Sequence, residues 1–230
     1  MTKAQAQETL DKIIGQIFGF KNPLSLDQFM QKYSFDVRLP NKVNDSTTGQ
    51  DTWAQSINPT KFITVENAWK REDWSMMPRR DIKTIEDILA AWDEINYTAT
   101  ERYLDSTNVS ESDNVYESEN IYRSQDIHGS KNILFSDGVW DSEFLVAVQR
   151  SNSSNFCARL EDSKECSNSF EVSWSSKIVN SFFIHDCSDI YESMFCSHVT
   201  SKKYCIANMQ FEEEEYKKLK DIVIRWILTG

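Results

Sequence analysis

The chain has 230 residues, 40% of them hydrophobic and 12% aromatic, enough for a substantial core and too many for a disordered polypeptide. No stretch reaches the roughly 18 apolar residues of a membrane-spanning helix, and "MTKAQAQETLDKIIGQIFGF" places charges and amides where a signal peptide needs an apolar run. Of the net charge of −11, residues 103–210 carry −8, the difference between 8 Lys+Arg and 16 Asp+Glu; such a surface repels phosphate backbones and anionic lipid, so neither direct nucleic-acid binding nor membrane binding is expected.

In chain order, residues 1–102 read as an α+β domain. Leu10, Ile13, Ile14, Ile17 and Phe18 share one helical face between Thr2 and Phe18, and Ser25 with Gln28 has capping-box spacing at the start of a second short helix. Phe35, Val37 and Leu39 alternate as in a strand, "NKVNDSTTGQD" reads as a polar loop, and "KFITV" at 61–65 is a second candidate strand. "MMPRR" at 76–80 together with Trp74 forms a basic-aromatic cluster. Read for function, Trp74, Arg79 and Arg80 touch a partner; read for structure, they are a solvated loop. Helix 84–97 carries the stripe Ile85, Ile88, Leu89, Trp92 and Ile95, with Thr84 and Asp87 as its start signal. Its position, just before a run of repeats, predicts a cap over their first coil.

From Ser106 the chain repeats every six residues. Serines stand at Ser106, Ser112, Ser118, Ser124, Ser130, Ser136 and Ser142, and an aliphatic residue stands three later at Val109, Val115, Ile121, Ile127, Ile133, Val139 and Leu145. A period of six smears around an α-helix and buries the wrong alternation in a flat strand, so a buried set at every third position requires a chain that turns repeatedly around a common interior. Asn108, Asn114, Asn120, Asp126, Asn132 and Gly138, each preceding an aliphatic residue, are types that tolerate a left-handed backbone and mark the expected corners. The phase then slips by three: serines continue at Ser163, Ser169, Ser175, Ser181 and Ser193, with Cys166, Val172, Ile178, Ile184 and Cys196 three later, all on the original one-in-three grid. Ile190 lies on the same grid. Three sextets per coil would give about five coils and a rod of about 25 Å. Residues 209–230 form an amphipathic helix with an acidic start, whose Val223, Trp226 and Ile227 either cover a coil end or meet another subunit.

The expected fold class is therefore an α+β N-terminal region followed by a single-stranded β-solenoid of six-residue repeats, with a C-terminal capping or interaction helix. The domains are 1–102, 103–208 and 209–230. The expected core ladder comprises Ser112, Val115, Ser118, Ile121, Ser124, Ile127, Ser130, Ile133, Ser136, Val139, Ile178, Ile184, Cys187, Ile190 and Cys196.

Chemistry-bearing motifs are sparse. Cys157, Cys166, Cys187, Cys196 and Cys205 all fall on the grid, without a C-x-x-C pair, which favours packing over a metal site or disulfide framework and an unsecreted protein. The three histidines lie off the grid and face outward; His128 or His185, beside Asp126 or Asp186, is the nearest approach to the general base of a hexapeptide acyltransferase, although that class places its small residue two, not three, before the aliphatic one. There is no G-x-S-x-G, G-x-G-x-x-G or P-loop. No catalytic, cofactor or metal residue is expected.

At "SKKYCIANMQFEEEEYKKL", residues 201–219, the sequence resembles an uncharacterised family of Ser/Asn/Cys-rich hexad-repeat proteins found in phages and little-studied bacteria, with Lys202, Tyr204 and Asn208 matching its Lys-x-Tyr-x-x-x-Asn segment. The resemblance implies a phage-like setting and no activity. The combined expectation is a non-catalytic docking element of a larger assembly, in the cytoplasm or a virion, with other proteins as partners and self-association among its contacts. The alternatives are an acidic nucleic-acid mimic that inhibits a DNA-binding enzyme, and a hexapeptide-type acyltransferase.

Overall fold

The computed structural model describes residues 1–58, 60–71 and 77–229. Every third residue from Asp105 to Ala207 has a positive φ, between 43° and 68°. Two extended residues followed by one left-handed residue turn the chain by a fixed amount at each triplet, and four triplets close a coil: strands pair in parallel with strands twelve residues on, Ile121 with Ile133 and Ile133 with Leu145. The coil thus contains two sextets rather than three. Over residues 103–206 it makes about nine turns, a rod of about 43 Å at ~4.8 Å per coil. Corners also lie before the serines as well as before the aliphatic residues, and they accept Phe144, Phe156 and Trp174 as readily as Asn or Gly, although a left-handed backbone costs a non-glycine residue about 1–2 kcal/mol. The ladder of hydrogen bonds on both sides of each corner offsets that cost.

The interior is four columns of side chains. Ser112, Ser124 and Ser136 stack in one and Ser118, Ser130, Ser142 and Ser154 in another; Val115, Ile127 and Val139 fill the third, and Ile121, Ile133, Leu145 and Cys157 the fourth. All are at most 4% exposed. Each serine hydroxyl donates to the carbonyl two residues back and accepts the backbone N–H of the residue one coil on: Ser124 Oγ bonds Tyr122 O at 3.0 Å and receives Ser136 N at 3.0 Å. Serine is needed because at these corners the strands break, and the hydroxyl replaces the missing ladder partner.

The three-residue slip exchanges the columns. Above Ser136 the first continues as Val148, Leu160, Val172, Ile184 and Cys196, while the column of Val139 continues as Ser151, Ser163, Ser175 and Cys187. Likewise Ser154 is followed by Cys166, Ile178 and Ile190, and Cys157 by Ser169, Ser181, Ser193 and Cys205. Cysteine reproduces the serine bond, Cys166 Sγ to Lys164 O at 3.4 Å and Cys187 Sγ to His185 O at 3.2 Å. Ser130→Ala is accordingly expected to cost about 1–3 kcal/mol, since it strands Ser142 N, while His128 O keeps its bond from Asp141 N; Ser130→Cys should cost less, as read from denaturant midpoints.

Helices α1 (Lys3–Phe18) and α2 (Leu26–Tyr33) lie along one side of the rod, with α5 (Glu213–Thr229) beside them. They cover an outward column that repeats every twelve residues, Tyr122, Leu134, Val146, Ala158, Phe170, Phe182 and Met194, all buried. Phe18 packs on Phe170 and Phe182 at 5.4 Å each, and Tyr33 Oη donates to Ile227 O at 2.8 Å. Helix α5 therefore runs back along the side of the coils.

The segment Phe35–Leu39 has no strand partner and forms a turn, while the expected polar loop contains the hairpin β1 (Asn41–Asn44) and β2 (Asp51–Ala54). Strand β3 (Lys61–Thr64), followed by α3 (Val65–Trp69), pairs in parallel with β4 (Tyr97–Thr100), which leads into the first coil. There Asp113, 1% exposed, accepts from Arg102 N, Nε and Nη2, from Gln55 N and from Asn114 N at 2.8–3.1 Å. Tyr103 stands on the core grid of this coil and donates to Ser112 O at 2.7 Å. At the far end Lys202 occupies the grid but is exposed. The strand Cys205–Ile206 folds back antiparallel on Met209–Gln210, and Asn208 bonds both Ser197 N and Ser197 O.

Helix α4 (Ile85–Ile95) does not cap the rod. Its capping box forms on Thr84 and Asp87, yet none of its residues is buried, and Ile85, Ile88, Leu89, Trp92 and Ile95 are 50–58% exposed. The small sheets and Tyr103, not α4, close the first coil.

Candidate interaction surfaces

Two apolar surfaces remain uncovered among the described residues. The first is the stripe of α4, of which Ile88, Trp92 and Ile95 line an open groove of 810 Å³ together with Met77, Pro78, Arg79, Arg80 and Ile82. The Arg80 guanidinium is engaged by Glu94 in a double hydrogen bond, so it fixes the segment before α4 against the helix. Of the sequence-predicted contact residues, Arg79 and Arg80 border this groove, and Trp74 lies outside the described residues. The second surface is on α5, where Ile222 and Trp226 are 64% and 57% exposed and Trp226 meets Phe183 at 5.7 Å, itself stacked at 4.5 Å on the partly exposed Phe195. Only Trp226 of the predicted α5 trio is free for a partner. Ile227 is buried and Val223 half-buried, because they face α1, α2 and the rod.

His128 stands apart from His185 and His198, whose rings meet at 5.6 Å. His128 lies between Tyr116 and Trp140, with Nε2 3.4 Å from Asp126; His185 Nδ1 bonds Ser173 Oγ at 2.9 Å in a distant coil; His198 Nε2 sits 3.5 Å from Asp186. The His128 ring is stacked face to face between its neighbours, whereas His185 is tilted by 47° against Trp174 and by 67° against His198. Among the described residues no three or more His, Cys, Asp or Glu side chains have metal-holding geometry. The thiols are shielded: burial pushes Cys166 and Cys196 up to about 12 and also raises Cys157 well above the ordinary thiol value, so these three stay protonated at neutral pH.

A polar pocket of 560 Å³ beside β3 went unread in the sequence. It is lined by Asp45, Thr48, Gln50, Thr64, Glu101 and Tyr103 among others. Burial alone would raise the Asp45 carboxyl, but hydrogen bonds from Thr47, Thr64 and Asn67 outweigh it and hold the group well below the usual carboxylate range. Glu101, by contrast, is raised by burial, with Asp113 and Asp45 adding to the effect. Asp45 is committed to these bonds and acts as the knot of the small sheets. No helix among the described residues is long and apolar enough to cross a membrane.

Compared with protein-family profiles, with curated proteins and with solved structures, the chain matches none.

Proposed function

We propose that the protein is a non-catalytic docking element, a stiff rod that presents apolar surfaces to other proteins of a larger assembly. The observation that carries this reading is the face of α4, where five large apolar side chains, each half exposed or more, line one side of a helix that buries nothing within the chain. Such a contiguous patch marks a protein contact rather than a free surface. The filled interior supports the same reading, since four columns of buried side chains leave the rod to work through its outside. A virion setting draws on the resemblance of residues 201–219 alone.

The nucleic-acid mimic ranks second because at least four of the 16 carboxylates on the rod are paired: Arg150 holds Asp162 and Glu161, Arg159 holds Glu171, and Lys131 meets Glu119. A continuous acidic stripe is thereby interrupted. The acyltransferase ranks third, its candidate histidines lying in separate coils.

The test is the double variant Ile88→Glu/Trp92→Glu, placed on exposed positions so that the thermal midpoint stays within about 2 °C. Cross-linking and light scattering on material from the native source should show the wild type in a complex and the variant released from it. Wild-type protein that always isolates free and monomeric overturns the proposal.

A further inference from the structure

On the side of the rod opposite the helices, two short rows of rings run along the coils, the first stacked face to face and the second tilted by 47° and 67°. In the first, Tyr116, His128 and Trp140 occupy one outward column, with centroids 5.0 and 5.9 Å apart and planes within 19°. In the second, Trp174, His185 and His198 follow one another at 5.1 and 5.6 Å. The first row stops at Trp140, because Asn152 comes next in its column; the second starts at Trp174, because Asp162 precedes it. Each indole therefore has a ring neighbour on one side only, and the free sides border the same open cleft of 480 Å³. The indoles are 37% and 57% exposed. They stand nearly three coils apart, about 14 Å along the rod.

The floor between them is polar and held in place. Arg150 grips Asp162 through Nε at 2.5 Å and Nη2 at 2.6 Å, and Asn152, Lys164 and Ser176 complete the lining. Gly138 lies directly under Arg150, with room for a Cβ only 3.4 Å from Arg150 Cγ, so the arginine rests close on the coil.

We propose that this cleft binds a short linear oligosaccharide. Pyranose rings offer an apolar C–H face to an indole and a rim of hydroxyls to amides, carboxylates and guanidinium groups, which is the combination found here. A nucleic-acid strand would also stack on tryptophan, but its phosphates would meet a chain of net charge −11. A peptide needs backbone partners, and the backbone N–H and C=O groups of these coils are spent along the rod in the parallel ladder. Side chains alone face the cleft, and a sugar needs nothing else. This site is independent of the docking surfaces on α4 and α5.

The full chain is titrated with cellohexaose, chitohexaose, maltohexaose and a hyaluronan hexasaccharide, read by saturation-transfer NMR and tryptophan fluorescence, with hexaproline and a thymidine hexanucleotide as competing probes. At least one saccharide should bind with a Kd below about 1 mM, and Trp140→Ala and Trp174→Ala should each weaken it about tenfold or more. Trp174→Ala should melt within about 2 °C of wild type, its indole being 57% exposed, whereas Trp140→Ala, which removes a 37% exposed indole stacked on His128, should melt about 2–5 °C lower and remain folded. Trp174→Leu, which keeps apolar bulk without the ring face, should weaken binding as the alanine does. The proposal is overturned if no hexasaccharide binds below about 10 mM, if binding survives both alanine substitutions, or if hexaproline or the oligonucleotide occupies the cleft in place of sugar.

Discussion

Phe182→Asp should lower the thermal midpoint by about 10–20 °C or prevent folding, while Ser188→Asp, six residues away, should leave it within about 2 °C. In the six-residue repeat the two positions are equivalent, each directly following a core residue. In the twelve-residue coil they lie on opposite sides. Phe182 is 0% exposed, touching Phe18 at 5.4 Å with the Lys220 ammonium over its ring, whereas Ser188 belongs to the uncovered side. Removing a buried phenylalanine costs about 3–5 kcal/mol, and a carboxylate sealed in that apolar layer adds a desolvation penalty that the Lys220 ammonium offsets only in part. A total of about 5 kcal/mol or more consumes much of the ~5–15 kcal/mol that holds a domain folded. Equal effects at the two positions would contradict the two-sextet coil.

Asp113→Ala should destabilise by about 3–5 kcal/mol, the cost of breaking a buried ion pair by removing one partner. The Asp113 side chain is 1% exposed and that of Arg102 is 34% exposed. Five donors converge on this carboxylate, from Arg102, Gln55 and Asn114, and of these Arg102 Nη2 alone keeps a second partner, Gln55 Oε1 at 3.0 Å, at the joint between the small sheets and the first coil. Replacing the pair together, Arg102→Met with Asp113→Ala, should recover part of the loss because the orphaned guanidinium is gone. Urea unfolding of the two variants measures both numbers. A single variant that loses less than about 1 kcal/mol would show that the joint is held elsewhere.

The interior of the rod was legible in the sequence because stacking repeats it: Val115, Ile127 and Val139 lie directly over one another, and each serine must sit above the previous hydroxyl to meet it. Coil size was not legible from the same residues, since a six-residue core pattern is compatible with any whole number of sextets per turn. The signal was in the neighbouring positions. Tyr122, Leu134, Val146, Phe170 and Phe182 are apolar, whereas Tyr116, His128, Asn152 and Lys164, offset by six, are mostly polar, and this alternation has a period of twelve. The role of α4 failed for a different reason: amphipathicity shows that a helix has an apolar face, and Ile88 and Trp92 show one clearly, but not which surface covers it. Asp45 was missed because its partners Thr47, Thr64 and Asn67 are brought together only by the pairing of the small sheets.

Lys202 stands in register with Ile190 on the last exposed strand, at a place where every earlier coil buries an uncharged side chain. Another rod could continue this one only by sealing that ammonium between two layers, at a penalty of several kcal/mol, and the fold-back of residues 205–210 blocks the same approach. The lysine thus works as a terminus mark, counting out a fixed length and barring growth into fibres by the strand edge, a hazard common to open sheets. Contacts between copies of this chain are thereby left to the flanks of the rod, its opposite end and the open face of α4.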